Sequence, residues 1–299
     1  MSNVLFQRLS QASVLPELRA ALVHLVEHDW SRESSAAQEH GTLYAALASI
    51  FGMLGGGEQK ALEPFLIAWY TLRAAVLRLD HLQDADIDLT DDFKTDATHA
   101  QHYNHILASY VLATAMLDEI DDQLIASARI HRLRRLWNDS LLEAASGQER
   151  DLTAQCSYSS PQEVLEFYEQ AIRAKAGSIY RIGFGGVAVL ATDNQPTIDA
   201  LCRIGEVFGT LLQLNDDLLD AAVEDEPALS LSQAYRTACE ASGLELPTHG
   251  VHAYARHVYR SYLEYVRRLV MTLPLATQHV VLSLFHQAFG SDDESSSST

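Results

Sequence analysis

The most informative residues of this chain are 208–220, which read FGTLLQLNDDLLD. Their apolar positions recur at helical spacing, and carboxylates stand at positions i, i+1 and i+4, namely Asp216, Asp217 and Asp220. Asp216 and Asp220 would share one face of the helix, where like charges repel. A hard divalent cation such as Mg²⁺, held by carboxylates and substrate phosphates, offsets that repulsion. The stretch therefore predicts a magnesium and diphosphate site, and the alternative is a solvated acidic face.

A second acidic cluster lies upstream in residues 80–88, which read DHLQDADID. It follows the apolar helical pattern of residues 62–79 and sets two carboxylates, Asp80 and Asp84, four residues apart. Two such faces could oppose one another across a helical bundle and hold metal ions between them. The carboxylates beyond Asp84 are expected in a solvated loop.

The acidic composition restricts the classes of partner. The chain has 299 residues, 40 of them acidic and 21 basic, with a formal charge of -19. Such a charge repels nucleic acid and anionic membrane surfaces, so we expect no nucleic-acid partner. An anionic substrate would have to be held by metal ions or by a few well-placed cations.

Cysteine usage and hydropathy predict a cytoplasmic protein. Cys156, Cys202 and Cys239 are far apart and show neither metal-site spacing nor a disulfide framework. Residues 1–14 lack the pattern of a signal peptide. No run of about 18 apolar residues occurs, so we expect no membrane span.

Helical periodicity runs through nearly every segment, and strand signals are almost absent. Glycine and proline clusters divide the pattern into about ten or more helices. We therefore predict a single all-α domain over residues 1–290, built as a bundle around a central cavity. Residues 291–299 are acidic and serine-rich and are predicted to form a disordered tail.

Four motifs in order along the chain resemble those of the trans-isoprenyl diphosphate synthases, or polyprenyl synthetases, and the class I terpene synthases that share their fold. Two are the aspartate-rich segments 80–84 and 213–220. Between them lie residues 147–152, which read GQERDL, and residues 175–180, which read KAGSIY. The resemblance implies an isoprenoid synthase-type helical bundle that binds an allylic prenyl diphosphate at the mouth of an apolar cavity.

The resemblance also implies a cluster of three Mg²⁺ ions. Asp80 and Asp84 would take two ions and Asp216 the third, with Asp217 and Asp220 close by. Diphosphate leaves poorly until its charge is neutralised, and metal ions supply that neutralisation as the C–O bond breaks.

Further residues acquire substrate-binding roles from the same resemblance. Lys175 and Gln213 would touch the diphosphate directly. Gln148 and Asp151 of the GQERDL segment are expected to contact the substrate as well, and so is Arg181, because the lysine expected after Asp220 is missing. Phe184 and Phe208 are candidates because ring faces stabilise positive charge. For the two aromatic rings the alternative is ordinary core packing. We also expect a homodimer.

The chain departs from the chain-elongating members of that family, which hold a second diphosphate, that of isopentenyl diphosphate, with basic residues. No lysine or arginine occurs in residues 33–59, and Lys94 is the only one in residues 79–128. A multiply charged diphosphate without cations would be strongly disfavoured in so acidic a protein. We therefore predict that the isopentenyl diphosphate site is lost.

Three interpretations of function remain. The favoured one is a terpene synthase-like enzyme, in which one allylic diphosphate is ionised and the cation is cyclised or quenched. The alternative is a prenyltransferase, either a polyprenyl diphosphate synthase or an enzyme that transfers the prenyl group to a non-isoprenoid acceptor such as a peptide. A non-catalytic regulatory subunit is disfavoured, because its clustered charged groups would then have no function. These groups are Asp80, Asp84, Lys175, Asp216, Asp217 and Asp220.

Overall fold

The computed structural model describes residues 8–10, 15–25, 43–83, 99–153, 161–220 and 250–289. Within these ranges all regular secondary structure is helical, and the predicted all-α class is confirmed. None of the described helices is both long and apolar enough to cross a lipid bilayer.

The longer helices are, in chain order, α1 Leu43–Met53, α2 Glu63–Gln83, α3 His99–Met116, α4 Ser127–Leu152, α5 Pro161–Ile172, α6 Ser178–Ala191, α7 Gln195–Asp220, α8 Gly250–Val270 and α9 Leu275–Phe289. Short 3₁₀ turns occupy Gln59–Ala61 and Leu117–Glu119. One π-helical turn, Arg173–Gly177, joins α5 to α6 without a break. Residues 16–25 are helical as well.

The described residues fall into two compact units. The first lies within Met1–Arg132, Val189–Thr192 and His279–Thr299, and the second within Leu133–Ala188 and Asp193–Gln278. The single domain expected over residues 1–290 stays a prediction. The predicted tail, residues 291–299, lies outside the described residues.

The core of the first unit is built around α2, which is apolar on nearly every side. Phe65, Trp69 and Leu72 are fully buried, as expected of a helix whose first half is almost entirely apolar. α3 packs along α2 and contributes Ile106. This packing holds the end of α2, and with it Asp80, in a half-buried position.

In the second unit, α7 extends without interruption over 26 residues and contains the helix predicted from residues 208–219. It begins after Asn194, whose Oδ1 accepts a hydrogen bond from the Thr197 backbone N–H at 3.1 Å. Pro196 occupies the first turn, where its missing N–H costs nothing.

Glycines let α7 approach the helix that carries Lys175. A Cβ on Gly209 would lie 2.6 Å from the Ala176 carbonyl oxygen, and one on Gly205 would lie 2.4 Å from the Tyr180 carbonyl oxygen. Neither distance leaves room for a carbon atom, so any larger residue would push the helices apart. The acidic stretch is thereby brought beside the π-helical turn.

Candidate functional site

The acidic residues of α7 have unlike surroundings, because adjacent helical positions differ by about 100° around the axis. Asp216 is exposed, whereas Asp217 is only 8% exposed. Asp220 ends the helix one turn beyond Asp216, and only its backbone is described. Gln213, one turn before Asp217, donates from Nε2 to Asp217 Oδ1 at 2.9 Å.

The other carboxylate oxygen of Asp217 accepts a hydrogen bond from the Tyr168 hydroxyl on α5. Tyr168 is fully buried. Burial raises the pKa of Asp217 to about 6, while the hydrogen bonds from Tyr168 and Gln213 oppose that rise. The sequence motifs did not include Tyr168. The sequence feature that could have identified Tyr168 as a site residue is its position seven residues, or two helical turns, before Lys175.

Lys175 lies in the π-helical turn and forms an ion pair with Asp151 of α4, with 2.5 Å between Nζ and Oδ2. Each side chain is only 11% exposed. Single π-helical turns within α-helices frequently mark functional sites. Gln148, one turn before Asp151 on α4, is half-buried.

The ion pair and the Asp217 hydrogen bonds belong to one electrostatic group. The Lys175 ammonium lowers the pKa of Asp217, and the Asp151 carboxylate raises it. We call this group the polar cluster, and its members are Asp151, Tyr168, Lys175, Gln213 and Asp217. Four of the five were predicted site residues, and the structure brings them together within the second unit.

Gly147 sets the distance between α4 and the π-helical turn. A Cβ at this position would lie 2.3 Å from the Lys175 backbone nitrogen and 2.7 Å from the Ala174 carbonyl carbon. Both are backbone atoms, which cannot rotate out of the way. The glycine of the predicted motif thus allows Asp151 to reach Lys175.

The change Gly147→Ala is expected to lower the free energy of unfolding by about 1–3 kcal/mol, the usual cost of overpacking. Chemical denaturation would measure it. Gly52→Ala on α1 is the matched control, because a Cβ there meets nothing within 4 Å. The control should be neutral or slightly stabilising, since alanine favours the helix. Equal effects of the two changes would contradict this packing role.

Three other predicted substrate-binding residues lie apart from the polar cluster's hydrogen bonds. Arg181 contacts Glu143 with 2.5 Å between Nη2 and Oε2, and its Nε donates to Ser140 Oγ at 3.0 Å. Phe184 and Phe208 pack together in the core, with 5.6 Å between ring centroids. Their contact with substrate stays a prediction.

The predicted metal ligands are divided between the two units. Asp80 belongs to the first and Asp216 to the second, and Asp84 lies outside the described residues. Among the side chains that the structure describes, no group of three or more His, Cys, Asp or Glu could hold a metal ion. The metal assignment stays a prediction.

A cleft of about 300 Å³ opens in the second unit between the π-helical turn, α7 and α8. Its lining includes Arg173, Arg203, Glu206 and Tyr262. Arg173 is already paired with Glu206, with 3.3 Å between Nε and Oε1. Since none of the predicted site residues lines this cleft, we do not assign the substrate to it.

Comparison with known proteins finds similarity to the same family over part of the chain. Residues 94–228, less than half of the chain, match the polyprenyl synthetase family. The match includes the GQERDL, KAGSIY and DDLLD segments and leaves out residues 80–84. No curated protein matches the sequence.

Solved structures share the fold over almost the whole chain. Geranylgeranyl pyrophosphate synthetase from the archaeon Geoglobus acetivorans has a TM-score of 0.67 at 20% identity, covering 95% of this chain and 94% of that one. Farnesyl diphosphate synthase from T. brucei has a TM-score of 0.66 at 13% identity, covering 95% and 94%. Heptaprenyl diphosphate synthase from Staphylococcus aureus has a TM-score of 0.61 at 15% identity, covering 95% and 96%. At these identities the similarity establishes the fold alone.

The four motifs, the family match and the shared fold agree. The predicted resemblance of this chain to the superfamily of trans-isoprenyl diphosphate synthases and class I terpene synthases is therefore confirmed.

Proposed function

We propose that this chain is a Mg²⁺-dependent enzyme that binds an allylic prenyl diphosphate and ionises it. The observation that carries the proposal is the polar cluster, where the buried Lys175–Asp151 ion pair adjoins the hydrogen-bonded Gln213 and Asp217. Burying these groups is costly, and such clusters concentrate at functional sites. The polyprenyl synthetase match and the fold shared with prenyl diphosphate synthases support the same class of substrate.

The donor atoms at the two acidic segments fit Mg²⁺. Asp80 is half-buried and Asp216 exposed, and both supply carboxylate oxygens, the hard ligands that Mg²⁺ prefers. We assign two ions to Asp80 and Asp84 and a third to Asp216, with Asp220 one turn beyond it. When bound, Mg²⁺ would neutralise the diphosphate and make it a better leaving group.

Lys175 is the residue to which we assign the most direct role in ionisation. Its ammonium group has three N–H donors, so one can remain with Asp151 while the others bind diphosphate oxygens. Those bonds strengthen as negative charge accumulates on the departing diphosphate. The low exposure of the pair limits competing water, which strengthens the attraction further.

The remaining site residues have supporting roles in this proposal. Gln213 would donate an amide N–H to the diphosphate, and Gln148 would lie beside Asp151. We keep Arg181, Phe184 and Phe208 as proposed substrate contacts. Ring faces attract positive charge, which suits the allylic cation left after ionisation.

Within this class we favour a terpene synthase-like reaction without a second diphosphate. The supporting observation is the absence of lysine and arginine from residues 33–59 and their near absence from residues 79–128. A second diphosphate bound there would lack the charge-assisted hydrogen bonds that such groups need. The cation would then be cyclised or quenched.

Transfer of the prenyl group to an acceptor is the second candidate. It is favoured by the fold shared with geranylgeranyl, farnesyl and heptaprenyl diphosphate synthases. The acceptor would be isopentenyl diphosphate or an uncharged molecule such as a peptide side chain. Both candidates use the same ionisation step and differ in what captures the cation.

Product analysis separates these candidates. The purified protein is incubated with Mg²⁺ and geranyl, farnesyl or geranylgeranyl diphosphate, with and without isopentenyl diphosphate. We expect diphosphate release and a hydrocarbon or alcohol product without isopentenyl diphosphate. A longer prenyl diphosphate formed only in its presence would overturn the cyclase assignment. No diphosphate release under any condition would overturn the enzymatic proposal and favour a regulatory subunit.

We propose a homodimer formed through one face of α3. Tyr103, Leu107 and Val111 follow one another at four-residue spacing and are 49%, 63% and 63% exposed. They form an apolar stripe opposite the face of α3 that packs against α2. Contiguous exposed apolar residues of this kind commonly mark interfaces, and a second copy would cover the stripe.

The change Leu107→Asp should convert the dimer to a monomer, because it places a charge in the centre of the apolar stripe. Light scattering coupled to size-exclusion chromatography gives the mass directly. Leu275→Asp is the matched control, since Leu275 is 70% exposed and lies on α9. A wild-type monomer, or a Leu107→Asp protein that stays dimeric, would rule out this interface.

We propose a cytoplasmic location, because the spacing of the three cysteines shows no disulfide framework. Cys202 is a free thiol, and burial raises its pKa to about 12. The thiol therefore stays protonated and unreactive. Cys156 and Cys239 lie outside the described residues.

A further inference from the structure

Asp217 is buried, and each of its two carboxylate oxygens accepts a hydrogen bond from a side chain. Oδ1 accepts from Gln213 Nε2 at 2.9 Å, and Oδ2 accepts from the Tyr168 hydroxyl. Asp216, the next residue toward the N-terminus, is exposed. The two neighbouring aspartates therefore suit different tasks.

The bond to Asp217 determines which end of the Gln213 amide faces it. If the amide were turned over, Oε1 would face the carboxylate, and two acceptors would repel each other. The carboxylate thus selects the orientation in which Nε2 donates to it. The second N–H of the same nitrogen remains available for an anionic oxygen.

Tyr168 holds the carboxylate in turn. Its side chain is fully buried, so its hydroxyl has a fixed position relative to α7. A carboxylate anchored by this hydroxyl and by Gln213 cannot rotate freely about χ2. Since α5 continues through the π-helical turn into α6, the same helix carries Tyr168 and, two turns later, Lys175.

We propose that Tyr168 is a positioning residue for diphosphate ionisation, acting through Asp217 on the amide of Gln213. In this arrangement Asp217 contributes by orienting Gln213 rather than by direct contact with a metal ion. The inference rests on the proposed function, because it presupposes that Gln213 touches the diphosphate. It adds a residue that none of the four motifs contains.

A double-mutant cycle tests the inference with purified full-length protein. Diphosphate release from the accepted prenyl diphosphate, with Mg²⁺, gives kcat and KM for each variant. Tyr168→Phe should lower kcat/KM about tenfold in the wild-type background, a size typical of residues coupled in one hydrogen-bond network. In the Gln213→Ala background the same change should cost less than about twofold, because the amide it orients is gone.

Two further variants distinguish a loss of positioning from a general loss of folded structure. Asp217→Asn keeps the shape but removes the charge and one of the two acceptor oxygens, so Gln213 and Tyr168 no longer each donate to an oxygen of their own, and it should lower kcat/KM at least as much as Tyr168→Phe. Tyr262→Phe removes the hydroxyl of a half-buried tyrosine of the second unit, outside the polar cluster, and should leave kcat/KM unchanged. Thermal unfolding of every variant identifies those that are folded at the assay temperature.

The possible outcomes are distinct. Equal losses from Tyr168→Phe in both backgrounds would indicate a merely structural role and overturn the inference while the proposed function stands. Full activity of Tyr168→Phe would overturn it as well. A wild-type protein that releases no diphosphate from any prenyl diphosphate would overturn the proposed function and the inference together.

Discussion

Lys175→Met is expected to lower kcat for diphosphate release about a thousandfold, with little change in the secondary structure. The magnitude is that of removing one preorganised electrostatic donor from a site that excludes water. Methionine retains the length and apolar stem of lysine but cannot supply charge to the departing diphosphate. Steady-state kinetics with saturating Mg²⁺ would measure the loss.

The same change also leaves Asp151 buried without its ion-pair partner, so the variant should have a lower melting temperature. Adding Asp151→Asn removes the stranded charge and should restore the melting temperature without restoring turnover. Lys60→Met is the control, because Lys60 pairs with Glu58 at 2.8 Å on the surface and should change neither quantity. Near-normal turnover in the double variant would refute the assigned role of Lys175.

Asp216→Ala is expected to reduce Mg²⁺-dependent diphosphate release by at least about a thousandfold, because one ion would lose its carboxylate ligand. Asp216 is exposed, so the substitution should leave the melting temperature within a degree or two of the wild type. Asp84→Ala should give a similar loss. A chelator added to the wild-type protein should reproduce the effect, and excess Mg²⁺ should reverse it.

Asp199→Ala provides the matched control on the same helix. Asp199 is exposed and accepts a hydrogen bond from Gln195 Nε2 at 2.7 Å near the start of α7. Its removal changes the net charge by the same amount as Asp216→Ala, yet turnover should be unaffected. If Asp216→Ala and Asp84→Ala both retained near-normal turnover, the metal assignment would be wrong.

The different environments of the acidic residues of α7 could not be predicted from the sequence. The spacing of Asp216, Asp217 and Asp220 predicted a charged helix end, which the structure contains. The same spacing could not say which carboxylate is buried. That depends on Tyr168, which lies 49 residues away in the chain and meets Asp217 through the packing of α5 and α7.

Arg181 illustrates the same limit. It was expected to contact the diphosphate because the sequence has no lysine or arginine in residues 204–235, where the family has a lysine after the second aspartate-rich motif. The structure pairs its guanidinium with Glu143 of α4, and nothing in the local sequence of α6 indicates that partner. Lys175 and Asp151 were both predicted to be site residues. The sequence did not predict that they contact each other, since they lie 24 residues apart in the chain.

The sequence by itself determined the all-α class, the position of α7 and the order of the four motifs. These follow from apolar periodicity and from local residue spacing, which a chain carries whatever its neighbours are. Only the tertiary structure decided that Asp151 meets Lys175, that Tyr168 anchors Asp217, and that Gly147 must stay small. These features depend on distances between helices that are remote in sequence, and close packing sets those distances.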